Sequence, residues 1–487
     1  MQQVAQSEQG NPFAVIESDP GVFTSLTRRL GIIGVEVVEL YDIAPWAVDH
    51  LNPYGLIFCF LWKKDLQRPA DFEDPGAEQV WFANQLSDDA CATHAILNVV
   101  LNCPEIDIGA HLNEFKSFTE TMSPVMRGLA VTNSPVIRPA HNYFARPADI
   151  RASLNNLTIA TFDAEKLKEE QQKATAAASK DTSPPAKRQK LLKVPNQPNG
   201  SVKRRGRPRK QKTTPDSGIE DETSGDEDQE TYHFIGYVPA HGKVWELDGL
   251  KSGPLEVGEL PAQDTSVPAL KLSKSWMDIV RPALRMKMEK YGGSGMDDSN
   301  IRFSLLAIVD DSYLKAHDDF ELLRRERQSL ENQMNQESPH WQQNVESSLL
   351  GIADQLFSRG NHPAFKSSHP GASLTGNDGR LPGFSKSFGS KWMNRQIELM
   401  ELPSSSRPLR WATCVQNAMR IRTVLEDEIN KAAKSNTDHV KRTHDYEPFI
   451  QAYIERLHDE GMLNALLDRD NDGRKKRGPK KKVQKLD

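Results

Sequence analysis

A nucleophilic thiol, an imidazole to move its proton and a carboxylate to orient that imidazole are the parts of cysteine-based acyl chemistry. Three residues of this chain have surroundings that suit those parts. Cys91 opens a run that is apolar nearly all round (Ala92, Ala95, Ile96, Leu97, Val99, Val100, Leu101), read as a buried helix over 91–103. At the first turn of such a helix, unpaired N–H groups and the helix dipole favour negative charge. Both stabilise the thiolate, the form of cysteine that attacks carbonyls. A small core residue is the competing reading, because cysteine is among the most often buried side chains. The segment Tyr232–Asp248 reads as a β-hairpin turning at His241-Gly242. With Ala240 opposite Lys243, Ile235 falls opposite Asp248, and His233 lies on the same face one diagonal step away. A carboxylate there accepts a hydrogen bond from one ring nitrogen and leaves the other for the thiol. Gln85, six residues before Cys91, has a side-chain amide able to donate to an oxyanion together with the Cys91 N–H; a surface glutamine is the alternative. His94 and His141 are rival bases. His94 is one turn into the helix, His141 has no carboxylate at a telling spacing, and both read as structural.

The elements that must position these residues read as α/β. Phe13–Ile16 is a short strand. Ser18-Asp19-Pro20 caps a helix, and Val35–Leu40 and Gly55–Trp62 are strands, the second buried. Asp88 and Asp89 stand as capping candidates before Cys91, and a further helix is expected to start at Asn133-Ser134-Pro135. The last β-rich run is Ile301–Val309. The longest apolar run, about Leu56 to Trp62, is too short to span a membrane, and no basic-then-apolar leader opens the chain.

Hydrophobic residues make up 37% of the 487, and the shortfall is local. Between about 165 and 230 there is no Phe, Trp or Tyr. Residues 187–212 hold eleven Lys/Arg and no acid, and residues 216–230 hold eight Asp/Glu and no base. This composition predicts a disordered insert. The formal net charge of −5 averages these opposed blocks. The four cysteines (Cys59, Cys91, Cys103, Cys414) form no Cys-x-x-Cys pair and no zinc-ligand cluster, so free thiols are expected, with no metal and no cofactor.

Several motifs together resemble the ubiquitin C-terminal hydrolases. They are Ile16–Phe23, Asn84-Gln85 followed by Ala90-Cys91-Ala92-Thr93, His141-Asn142 followed by Phe144-Ala145-Arg146, and the whole of 232–250. The resemblance covers 13–163 and 231–309. It implies a papain-like, knotted α/β catalytic domain that cleaves after the C-terminal glycine of ubiquitin. Cys91 then matches the nucleophile, His233 the general base and acid, Asp248 the orienting carboxylate and Gln85 the oxyanion glutamine. The insert falls where the family carries its crossover loop, and a long loop there is expected to admit bulky conjugates.

The expected organisation is a catalytic domain over 11–310, an exposed charged helical segment over 311–358, a flexible linker over 359–390, a helical domain over 410–470 and a basic tail over 471–487. Tyr446, Phe449, Ile450, Tyr453, Ile454 and Leu457 form an apolar stripe at helical spacing. With Glu460-Gly461-Met462-Leu463, it resembles the C-terminal domain of the long-form members, which implies an activating adaptor protein as partner; packing within the chain is the alternative. Arg205-Gly206-Arg207-Pro208 resembles an AT-hook for the DNA minor groove, and reads equally as half of a nuclear import signal. Both place the chain in the nucleus. Two settings stay open: a nuclear deubiquitinase acting on chromatin, towards which the motifs lean, and a proteasome-associated editing enzyme. A ubiquitin-binding scaffold without activity is the non-enzymatic alternative.

Overall fold

The computed structural model describes residues 11–62, 75–180, 231–261, 269–291, 303–358 and 384–467. Its centre is β2 (Gly55–Trp62), whose side chains from Leu56 to Leu61 are all buried. Strands buried on both faces read as continuous apolar runs, and this one lies inside a six-stranded sheet. The other strands are β1 (Val35–Leu40), β3 (Thr231–Ala240), β4 (Lys243–Asp248), β5 (Leu255–Glu259) and β6 (Phe303–Asp310), in the order β1-β6-β2-β3-β4-β5 with every neighbouring pair antiparallel.

Alternation along β2 feeds two cores. Ile57 and Cys59 join a cluster with α2 (Cys91–Val100), while Leu56, Phe58 and Phe60 join Trp276, Met277, Val280 and Leu284 of α7 (Ala269–Tyr291). Gly55 and Gly236 let α2 approach closely, since a Cβ at Gly55 would come within 2.4 Å of a Val99 methyl and one at Gly236 within 2.8 Å. The hairpin has the expected register, Ala240 opposite Lys243 and Ile235 opposite Asp248. His241 and Gly242 both adopt positive φ, 52° and 76°, as a tight two-residue turn requires.

Before β1, α1 (Pro20–Arg29) is capped by the Asp19 carboxylate, which accepts from the Val22 N–H at 3.0 Å. Phe13–Ile16 joins no sheet; Phe13 and Ala14 are buried and tied to Asn142 and Ser153 instead. After α2 come α3 (Gly109–Thr119), α4 (Pro124–Asn133), α5 (Ile137–Asn142) and α6 (Pro147–Lys180). Asn133 ends α4, and the helix expected from Asn133-Ser134-Pro135 starts at Ile137, where the Ser134 hydroxyl accepts from the Val136 and Ile137 N–H groups. Helix α2 ends at Val100, three residues early, because Asn102 turns back to bond the Asn98 carbonyl. Its N-cap is Ala90, so neither aspartate caps it.

Residues 165–180, expected to lie in the disordered insert, continue α6, a run of Ala, Lys, Glu and Gln that favours helix. Residues 156–230 group as a unit apart from the rest. The AT-hook-like Arg205–Pro208, most of the linker and the basic tail lie outside the described residues.

The C-terminal helices are α8 (Ser312–Glu337), α9 (Ser347–Leu356), α10 (Phe388–Glu401), α11 (Arg407–Thr443) and α12 (Glu447–Asp459). Helix α8 was expected to be exposed, yet it is the strut of a bundle. Tyr313, Ala316, Phe320, Leu323, Leu330 and Met334 make a buried stripe against Trp411, Cys414, Val415, Ala418 and Leu425 of α11. The dense charges between them hid that stripe and serve it: buried Glu326 accepts from both Arg395 and Arg410 at 2.5 Å. The segment expected at 311–358 and the domain expected at 410–470 therefore pack on each other through two buried clusters. Helix α11 starts three residues before the helical domain expected from 410 and runs unbroken to Thr443. Its C-terminal half returns to the sheet domain, where Arg442 pairs with Glu17 at 2.6 Å and His439 stacks on Tyr143 at 4.9 Å. No helix among the described residues is long and apolar enough to cross a membrane.

Candidate functional site

The site forms at the end of the sheet where β2 and β4 finish and β3 begins. In β3, His233 alternates with Phe234 and so shares a face with Ile235 and Tyr237; its ring meets Phe60 edge-on at 5.6 Å. Its Nε2 lies 2.7 Å from Asp248 Oδ1, and both side chains are buried. Burial works to raise the Asp248 pKa. The His233 hydrogen bond and charge, the Leu250 N–H and Lys287 outweigh it and hold the carboxyl below its ordinary value. An ionised Asp248 fixes the ring with Nδ1 as the nitrogen left for chemistry.

Cys91 stands at the first residue of α2, partly buried against the first core cluster. Burial pushes its thiol up to about 12, and neighbouring Cys59 and Asp89 push the same way against the lowering effect of the Ala92 and Cys91 N–H groups. The helix N-terminus was expected to favour the thiolate, and here desolvation outweighs it. No hydrogen bond or ion pair joins Cys91 to His233 among the described residues. The thiol rests protonated.

Gln85 ends an extended segment, Val80–Gln85, that belongs to no strand yet is bonded along its length. Asn102 accepts from the Trp81 N–H and donates to the Trp81 carbonyl, both at 2.8 Å. Asn98 does the same to Ala83, at 2.9 and 3.3 Å. From the other side Arg127 of α4 donates to the Val80 and Phe82 carbonyls at 3.4 Å, and its remaining N–H groups satisfy Thr119 and Glu120. The Gln85 N–H then donates at 2.9 Å to the carbonyl of Gly249, the residue after Asp248. The Asn84 amide ties the same segment to Gly249 and Lys251. Glutamine, aspartate and the cysteine helix are thus linked through one short stretch of chain.

Both rival histidines are buried. His141 Nε2 faces the Ala14 carbonyl at 2.8 Å, so that nitrogen carries the proton and Nδ1 accepts from the Thr93 hydroxyl at 2.7 Å. Burial takes both His94 and His141 down to about 4. Sequence reasoning singled out Asn84 only as part of a motif and missed Asn98, Asn102 and Arg127. The signal available was two asparagines at i and i+4 on an otherwise apolar helix.

Of the other expected sites, the apolar stripe is in place and uncovered. Tyr446, Phe449, Ile450, Tyr453 and Ile454 are 45–69% exposed, with Leu457 half-buried. Packing within the chain does not cover it among the described residues.

Residues 13–279 match the family described as ubiquitin carboxyl-terminal hydrolase, family 1, and residues 420–463 match a second described as ubiquitin carboxyl-terminal hydrolases. The chain is similar to ubiquitin carboxyl-terminal hydrolase isozyme L5 of Dictyostelium discoideum, 28% identical over 66% of this chain and 68% of that one. It is also similar to ubiquitin carboxyl-terminal hydrolase BAP1 of Xenopus tropicalis, 29% identical over 74% of this chain but only 45% of the frog protein. Among solved structures, it matches Trichinella spiralis UCH37 bound to ubiquitin vinyl methyl ester at 26% identity, over 63% of this chain and 87% of that one, with a TM-score of 0.39.

Proposed function

Because this chain belongs to family 1 of the ubiquitin carboxyl-terminal hydrolases, which are cysteine-type hydrolases, we propose that Cys91, His233, Asp248 and Gln85 are its catalytic residues. The observation that carries the assignment is the buried 2.7 Å His233–Asp248 bond, set one residue from the Gly249 carbonyl that anchors Gln85. His233 takes the Cys91 proton through Nδ1, and Sγ attacks the carbonyl of the last glycine of ubiquitin. The Gln85 amide and the Cys91 N–H hold the oxyanion. His233 then protonates the leaving amine and activates water for deacylation, with Asp248 ionised throughout.

The test is hydrolysis of a fluorogenic ubiquitin C-terminal amide by the full chain. Cys91→Ala should abolish turnover, and Asp248→Asn and Gln85→Ala should each cost about a hundredfold or more in kcat. Turnover surviving in Cys91→Ala sinks the assignment.

The setting we propose is nuclear, on chromatin-associated conjugates. The Lys/Arg blocks at 187–212 and 474–482 support it, and the exposed stripe on α12 supports docking of an adaptor there. The relatives include both isozyme L5 and BAP1, so the proteasomal setting is the second reading. Fluorescent fusions lacking 187–212, 474–482 or both separate them: loss of nuclear accumulation fits the first, and an unchanged distribution counts against it. Arg205–Pro208 is proposed to hold A·T-rich duplex, checked by salt-dependent binding against a G·C-rich control.

A further inference from the structure

We propose that Asn98 and Asn102 are positioning residues for the oxyanion: they set the register of Val80–Gln85 against the helix that carries Cys91. The proposal rests on the assignment of Gln85 above and goes beyond it.

A segment placed beside a catalytic helix is ordinarily held by a neighbouring strand. Val80–Gln85 has none, and two side-chain amides on α2 and its following turn take that part. Asn98 and Asn102 each bond both the N–H and the carbonyl of one residue, Ala83 and Trp81. Residues two apart on an extended chain point their backbone groups the same way, and residues four apart on a helix share a face. The spacing of the asparagines therefore matches that of the groups they hold. Both are buried, at 1% and 9% exposure, so each amide is committed to this contact. Asn102 also donates to the Asn98 carbonyl at 2.7 Å, bracing one clamp on the other.

The consequence is geometric. Cys91 and Gln85 sit on different stretches of chain, and the clamps tie one stretch to the other seven and eleven residues after Cys91. Bound this way, Gln85 cannot slide along α2 without breaking paired hydrogen bonds to buried groups. Arg127 bonds the alternate carbonyls, Val80 and Phe82, and fixes the lateral position instead. Aspartate at 98 keeps the acceptor for the Ala83 N–H but leaves the Ala83 carbonyl without its donor. Alanine there loses both.

Steady-state kinetics on the ubiquitin amide test this with Gln85→Ala, Asn98→Ala, Asn98→Asp and the combination of Gln85→Ala with Asn98→Ala, each checked by thermal melting. Asn98→Ala should lower kcat about ten- to a hundredfold with KM within about twofold, because a misplacement of about 1 Å costs rate rather than ubiquitin binding. Asn98→Asp should fall between it and wild type. In the Gln85→Ala background Asn98→Ala should cost little more, since its effect passes through the glutamine. Additive losses in the double variant overturn the proposal, as does a fall in kcat that disappears at a temperature where the variant is fully folded. If Gln85→Ala alone leaves kcat unchanged, the glutamine assignment fails first. Should Asn98→Ala not fold, Asn98→Asp with and without Gln85→Ala gives the same cycle.

Discussion

At the scale of single residues, the conflict at Cys91 is between dipole and desolvation. The N–H groups of residues 91 and 92 favour a thiolate, yet burial wins and the thiol rises to about 12. The ionised fraction is then small and grows about tenfold per pH unit across the neutral range. Alkylation of Cys91 by iodoacetamide, followed by peptide mass spectrometry, should rise with that slope from pH 6 to pH 9 without a plateau. A plateau below pH 7 would mean that a thiolate–imidazolium pair already exists in the free protein. This much of the site was open to sequence reasoning: the hairpin register that pairs His233 with Asp248 follows from one turn and the alternation of strands. The state of the thiol was not, because desolvation depends on which distant side chains close over it.

Elements add what spacing along the chain cannot. Helix α4 presses on the clamped segment at Gly128, where a Cβ would lie 2.1 Å from the Asn84 carbonyl oxygen and 3.1 Å from its carbon. Backbone at that distance has to move. Gly128→Ala should therefore cost about 2 kcal/mol or more of stability, read by denaturant unfolding, and lower kcat with it. A variant as stable and active as wild type would show that the segment shifts freely. The sequence hid this element for a plain reason: Val80–Gln85 bonds to side chains, and no hydrophobic period marks a segment of that kind. The buried stripe of α8 was hidden differently. Charges at most intervening positions made a bundle strut read as a solvated helix, although Glu321 and Glu326 are paired within the bundle itself.

For the whole molecule, the sheet domain and the helical bundle meet through α11, while α12 carries its aromatic stripe in the open. An exposed stripe contributes little to folding. Phe449→Ser with Tyr453→Ser should shift Tm by no more than about 2 °C and leave amide hydrolysis by the isolated chain unchanged. A large drop in Tm would place these rings in a core and remove the surface proposed for an adaptor. The architecture of the catalytic half followed from its motifs. The bundle did not, since its contacts join residues some 90 positions apart, such as the Cys414 thiol donating to the Leu323 carbonyl.

The length of α11 has a mechanical meaning. From Trp411 in the bundle to His439 beside Tyr143 it runs 28 residues, about 42 Å of unbroken helix. A lever of that length multiplies angles: a tilt of about 5° at the bundle end sweeps His439 through about 4 Å. The far end bears on Glu17 and Tyr143, and Tyr143 follows the short helix whose His141 bonds Thr93, two residues from Cys91. A rotation too slight to disturb the packing around Trp411 thus becomes, where the helix bears on Tyr143 and Glu17, a displacement longer than a hydrogen bond.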